Sequence, residues 1–176
     1  MPKSHGKEKR AAKQKKKRQA RQKERSERVR SFRVPEAQGD DLLASCGYDA
    51  DQSLPSEWLS LPEQERLDRV ARYHERALDP KRKPPSMQRH SGMHVGVENQ
   101  LASGTPPQVG EALARLVREG MSRHDAVHAL GWVMTEHMRR AVETRKPVDN
   151  DAYLRDLEEL TLPRWLEMAG VGAARK

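Results

Sequence analysis

The chain has 176 residues, of which 34% are charged and 35% are hydrophobic, and its mean hydropathy is −1.00. This composition excludes a large apolar core but allows one domain of modest size. The single cysteine, Cys46, excludes a disulfide framework and a cysteine-based zinc site. The sequence has no apolar run of membrane-spanning length and no hydrophobic segment after the basic N-terminus, so we expect a cytoplasmic protein.

Positive charge is concentrated at the N-terminus. Residues 1–30 hold 14 Lys or Arg against 3 Asp or Glu, whereas the rest of the chain holds 20 against 23 and is slightly acidic. Good helix formers dominate between Lys7 and Val34, but apolar side chains there are too few to form a stripe that packs on a core. The sequence therefore predicts a basic arm over residues 1–37 that is disordered or forms a lone helix.

Two functions are open for this arm. Its basic cluster could neutralise phosphates of RNA, DNA or the ribosome without reading bases, or it could be a solvated tail or rest on an anionic surface. Aromatic side chains are almost absent from the arm, which argues against stacking on single strands. The candidate phosphate contacts are Lys13, Lys15, Lys16, Lys17, Arg18 and Arg21.

The composition changes twice after the arm. Residues 38–55, with Gly39, Gly47 and four aspartates, are interpreted as an acidic flexible linker. Residues 56–170 carry helical patterning and are predicted to form the folded domain, and residues 171–176 are left as a C-terminal tail.

Six helices are predicted in this domain. The first follows a capping box at Ser60–Glu63, the third begins at Thr105–Gln108 and ends at Gly120, and the fourth is capped by Ser122. The second covers Arg89–Gly104, and two short helices lie near Tyr153–Leu160 and Pro163–Met168. Strand-type alternation is absent, so the fold class is all-α, and the short connections predict a compact antiparallel helical domain.

Histidines recur at helical spacing in two of these segments. His90, His94 and Glu98 lie four residues apart and form one row beside the apolar row of the second helix. His124 and His128 form another such pair at the edge of the apolar stripe of the fourth helix. These five side chains are therefore predicted to meet in the domain interior.

The chemistry of these groups indicates a metal site. Imidazole and carboxylate suit zinc, iron, copper or nickel, and a buried Glu98 without a counter-charge would be costly. We expect zinc or iron first, and no nucleotide cofactor, since no phosphate-binding loop is present. Three or four of the groups would satisfy one ion, and all of them would permit two.

Three neighbouring residues could assist the site. His74 lies within the apolar stripe of the first helix and is an additional ligand or an orienting neighbour. Asn99 and Gln100 follow Glu98 and could orient ligands, or could bond to carbonyls of their own helix turn. His137 lies on the apolar side of the fourth helix but away from His124 and His128, and is interpreted as a packed or interface residue.

Several functional alternatives stay open. An open coordination position would allow hydrolytic or redox chemistry and a saturated one would be structural, so the sequence does not decide whether the protein is an enzyme. The rival is a metal-free helical interaction module in which histidines hold Glu98 by hydrogen bonds. A zincin-type peptidase is disfavoured: "HDAVH" at His124–His128 places the shorter Asp125 where H-E-x-x-H has its glutamate, and Asp125 also suits the Ser122 cap.

One long stretch resembles a known family. The run from "MHVGVENQLASG" to "RHDAVHALGWVMTEH", with "YHERA" upstream, is similar to a small bacterial family, domain of unknown function 1841. The resemblance covers about residues 58–137. The matching positions are Tyr73, His74, His94, Glu98, Asn99, Gln100, His124, His128 and Gly131. It implies a helical domain and supplies no reaction, and a glutamate common in the family at the position of Asp125 weakens a general-base role for that residue.

Overall fold

Seven α-helices and one short 3₁₀ helix make up the described part of the chain, residues 42–77 and 84–169 of a computed structural model. The helices are α1 (Leu42–Cys46), α2 (Glu63–Ala77), α3 (Met87–Ser103), α4 (Pro107–Arg118), α5 (Arg123–Thr144), α6 (Asn150–Glu159) and α7 (Leu162–Met168), with the 3₁₀ helix at Trp58–Ser60. No strand occurs among these residues, which confirms the all-α prediction.

Short polar side chains start most of these helices. The side chains of Ser86, Ser122, Asp149 and Thr161 each accept a hydrogen bond from a backbone N–H in the first turn of α3, α5, α6 and α7. Ser60 does not act as predicted, because it belongs to the 3₁₀ helix and its hydroxyl donates to the carbonyl of Glu57. α2 therefore begins three residues later than its predicted cap.

Helix α3 lies at the centre of the domain and packs against α2, α4, α5 and the 3₁₀ helix. Two glycines allow α3 and α5 to approach closely. A Cβ at Gly131 of α5 would lie 2.5 Å from Sδ of Met93, and a Cβ at Gly96 of α3 would lie 2.8 Å from Cε of Met134. The methionine of each helix therefore packs over the glycine of the other helix. This close packing brings the histidine-bearing faces of α3 and α5 together.

Part of the predicted linker is folded. α1 lies within it, and Tyr48 and Ala50 are fully buried in a core cluster with Cys46, Trp58 and residues of α2 and α3. The acidic side chains that suggested a linker alternate with these apolar ones, so the average composition conceals a packed segment. The flexible-linker prediction is wrong for residues 42–55, and the predicted arm and C-terminal tail lie outside the described residues.

Apolar side chains of α4, α5 and α6 form a further buried region. Val133 of α5, Leu116 of α4 and Leu157 of α6 are buried, and these three helices contact one another pairwise. Arg115 ties the end of α6 to α4, because its guanidinium donates to the carbonyls of Leu157 and Leu160. None of the helices within the described ranges combines the length and apolar character that crossing a bilayer requires.

Candidate metal centre

Three helices bring five histidines to one point in the domain. α2 supplies His74, α3 supplies His90 and His94, and α5 supplies His124 and His128. Each ring offers one nitrogen, and the five nitrogens all lie within 4.8 Å of one another. The four-residue spacing places each pair on one helix face, and the close α3–α5 contact sets the two pairs opposite each other.

The five rings differ in their access to solvent. His74 and His94 are fully buried and His124 is 2% exposed, whereas His90 and His128 are half-buried. His90 lies in the first turn of α3 and His128 in the second turn of α5. The more accessible edge of the cluster therefore lies between these two rings.

The hydrogen bond of His74 fixes which of its nitrogens faces the cluster. Its Nδ1 lies 2.8 Å from the carbonyl oxygen of Val70, and because a carbonyl only accepts, Nδ1 carries the hydrogen. In the neutral ring, Nε2 then bears a free lone pair, and it lies 3.1 Å from Nε2 of His124. Two adjacent ligands of one ion with metal–nitrogen distances of about 2.1 Å are about 3.0–3.4 Å apart, which matches this contact.

A buried tyrosine fixes His94 in the same way. The hydroxyl of Tyr48 donates to Oε1 of Glu98 at 2.8 Å, and its oxygen lies 3.2 Å from Nδ1 of His94. Burial, with the neighbouring Glu98 carboxylate, raises the pKa of Tyr48 well above its usual value, so its single hydrogen stays in place. The oxygen can then only accept from His94, which leaves Nε2 of His94 without a hydrogen.

Three of the cluster nitrogens have no hydrogen-bond partner in the described part of the chain. They are Nε2 of His90, His94 and His128, and all three atoms are buried. Buried polar atoms nearly always have a partner in folded proteins, so three unpartnered atoms in one cluster require an explanation. A shared cation would supply a partner for all of them.

The electrostatics of the cluster keep its rings neutral. Burial, followed by the neighbouring histidines, lowers the pKa of His74 and of His124 to about 3. Burial also lowers the pKa of His90, and burial with the other rings lowers the pKa of His94 and His128 well below the usual histidine range. Neutral imidazole is the form that binds transition metals, so the site needs no deprotonation at neutral pH.

Glu98 is fully buried, but the structure does not bring it into the group of metal-type donors. Both of its oxygens accept from the guanidinium of Arg123, at 2.7 and 2.6 Å, and Oε1 also accepts from Tyr48. A guanidinium therefore balances the buried carboxylate, where the sequence analysis expected a metal ion or histidine hydrogen bonds. Arg123 directly precedes His124, so the ion pair lies beside the cluster.

The segment before the 3₁₀ helix also contacts the residues beside the cluster, which the sequence did not predict. The carbonyl of Ala50 accepts from Arg123 at 2.8 Å, and the carboxylate of Asp51 accepts from the backbone N–H of His124 at 3.0 Å. Together with Tyr48, these contacts hold the start of α5 beside α3. A tyrosine within an otherwise acidic stretch was the one signal in the sequence that could have indicated burial there.

Other candidate residues lie outside the cluster. Asn99 accepts from Trp58 and Arg66, so it ties α3 to the 3₁₀ helix and α2 instead of touching a histidine. Gln100 accepts from the hydroxyl of Tyr153. In these contacts the side-chain amides of Asn99 and Gln100 bond to other parts of the fold, and not to carbonyls of their own helix turn.

Two further predictions have separate outcomes. The backbone N–H of Asp125 donates to Oγ of Ser122 at 3.0 Å, in agreement with the predicted helix cap. The candidate phosphate contacts Lys13, Lys15, Lys16, Lys17, Arg18 and Arg21 lie outside the described residues, so their role stays a prediction.

Comparison with known proteins gives one match. The family model described as a domain of unknown function, DUF1841, matches residues 57–159. Searches of the curated proteins and of the solved structures found no significant match. The matched range contains all five clustered histidines, Glu98 and Arg123, but it does not contain Tyr48.

Proposed function

The chain belongs to the DUF1841 family, a domain of unknown function. We propose that the domain binds one divalent transition-metal ion through its five clustered histidines. The observation that carries this proposal is the convergence of five neutral imidazoles, three of which have buried Nε2 atoms without a partner among the described residues. Zinc and iron are the first candidates, since imidazole nitrogen suits both.

The dimensions of the cluster suit one ion. Ligand nitrogens on opposite sides of an ion lie about 4.2 Å apart when each bond is about 2.1 Å long, close to the 4.8 Å span of the five atoms. Small side-chain rotations would bring three to five of them into contact with the ion. Two four-coordinate ions would need more donors than five histidines supply, which favours a single ion.

A metal-free interaction module is the second candidate, and the unpartnered atoms weigh against it. Without an ion, Nε2 of His90, His94 and His128 would each need water or lose a hydrogen bond, at roughly 1–3 kcal/mol for each unsatisfied group. The geometry also differs from the one this candidate requires, since Arg123 and Tyr48, and not histidines, bind the oxygens of Glu98. One bound cation accounts for the cluster more simply.

Elemental analysis of the purified full-length protein tests the proposal. We expect close to one equivalent of metal in the wild type and none in the His94→Ala, His128→Ala double variant. The matched control is His137→Gln, which changes a buried histidine that lies outside the cluster and bonds to Asp156. A metal-free wild type that gains no thermal stability from added zinc or iron would leave only the interaction module.

A further inference from the structure

The donors in the cluster carry no negative charge. All five are imidazoles, and the group of metal-type donors within the described ranges includes neither a carboxylate nor a thiolate. Glu98 is the nearest buried carboxylate in the hydrogen-bond network, but the bidentate ion pair with Arg123 balances its charge. A divalent ion held by these ligands would therefore keep its full double charge.

Among the described residues, Glu98 is the only buried carboxylate, and it is paired with Arg123. Asp51 accepts from the backbone of His124, but it is exposed, and water screens its charge. A buried cation without a counter-charge is strongly disfavoured in a protein interior.

One edge of the cluster lies nearer to solvent than the rest. His74, His94 and His124 are buried, whereas His90 and His128 are half-buried and lie next to each other, with ring centroids 5.0 Å apart. A ligand that reaches the ion from solvent would therefore approach between the first turn of α3 and the second turn of α5.

On these grounds, and resting on the proposed metal site, we propose that the bound ion takes a small exchangeable anion, such as hydroxide or azide, as an additional ligand at the edge formed by His90 and His128. The neutral donor set supplies the attraction for a negative ligand, and the half-buried rings of His90 and His128 mark the side from which it would enter. The centre is then an open site that can bind and polarise a small anion or water, and not a closed structural one.

The test uses full-length protein loaded with Co²⁺ and titrated with sodium azide, while the visible absorption of the ion is followed. We expect a saturable change in the cobalt spectrum with azide and none with sodium perchlorate at the same ionic strength, because perchlorate coordinates weakly. Before azide is added, the cobalt bands must be present in the wild type and absent from the His94→Ala, His128→Ala double variant.

The outcomes separate the two proposals. Cobalt bands that azide leaves unchanged would overturn the exchangeable anion while leaving the metal site intact. Failure to take up cobalt, zinc or iron would overturn both. An equal response to perchlorate would show a general salt effect, and would also overturn the anion site.

Discussion

The histidines at the two ends of α5 have very different surroundings. At one end, His124 and His128 face three more rings, and the buried Nε2 of His128 has no partner among the described residues. At the other end, His137 is 5% exposed, and its Nε2 lies 2.9 Å from a carboxylate oxygen of Asp156. On the same helix, the Nε2 atom of His137 thus has a hydrogen-bond partner in the protein, whereas the Nε2 atom of His128 has none among the described residues.

This difference separates a structural histidine from a candidate ligand. The Nε2 of His137 already has an acceptor on α6, the carboxylate of Asp156, and the His137 ring packs against Tyr153 with centroids 5.6 Å apart. Two of the clustered rings use Nδ1 for a hydrogen bond outside the cluster. Nδ1 of His74 donates to the carbonyl of Val70, and Nδ1 of His94 donates to the hydroxyl of Tyr48. Their Nε2 atoms are left for one another, or for a shared ion.

The largest expected effect on stability comes from breaking the ion pair beside the cluster. Arg123→Met would leave Glu98 fully buried without its counter-ion, at a cost on the order of 3–5 kcal/mol in the free energy of unfolding. Asp156→Asn, at the other end of α5, removes a charge that is 34% exposed and should cost less than about 1 kcal/mol. Urea denaturation of both variants measures the difference, and equal losses would contradict the contrast.

The prediction of the fold from sequence succeeded where signals are local. The cap at Ser122 and the apolar stripes of α3 and α5 depend on residues three or four positions apart. The predicted range of the second helix, Arg89–Gly104, differs from α3 by two residues at its start and one at its end. The histidine pairs belong to the same class of signal. Their opposition across the α3–α5 contact follows once Gly96 and Gly131 allow the helices to approach.

What the sequence did not indicate depends on long-range contacts. Arg123 lies 25 residues from Glu98, and Tyr48 lies 50 residues from it. No local periodicity links these residues. The sequence therefore predicted a metal ion or the nearby histidines as the partner of Glu98. Residues 42–55 were predicted to be a flexible linker because aspartates dominate their composition. Their packing depends instead on the buried side chains of Tyr48 and Ala50.

A smaller effect is expected from the tyrosine that orients His94. Tyr48→Phe removes the hydroxyl that accepts from Nδ1 of His94, and should weaken metal binding about 10–100-fold, the usual effect of removing a group that orients a metal-binding histidine. Tyr153→Phe is the matched control, because its hydroxyl bonds to Gln100 outside the cluster. Competition with a chromophoric chelator measures both affinities, and equal weakening would remove the assigned role of Tyr48.

The smallest effect on the metal site should come from the basic arm. Deleting residues 1–30 removes 14 Lys or Arg and should abolish any salt-dependent affinity for RNA or DNA, because that affinity depends on neutralised phosphates. Metal content should not change, since none of the clustered histidines lies in the arm. Filter binding at two salt concentrations tests the first expectation, and unchanged affinity after truncation would assign nucleic-acid binding to another part of the chain.

The central claim, that the five histidines hold one ion, is tested most directly by anomalous diffraction. Crystals of the full-length protein grown with zinc would be measured on both sides of the zinc absorption edge. We predict one anomalous peak within about 2.0–2.2 Å of at least three of the five clustered Nε2 atoms. A cluster without a peak, or zinc bound instead between His137 and Asp156, would contradict the account.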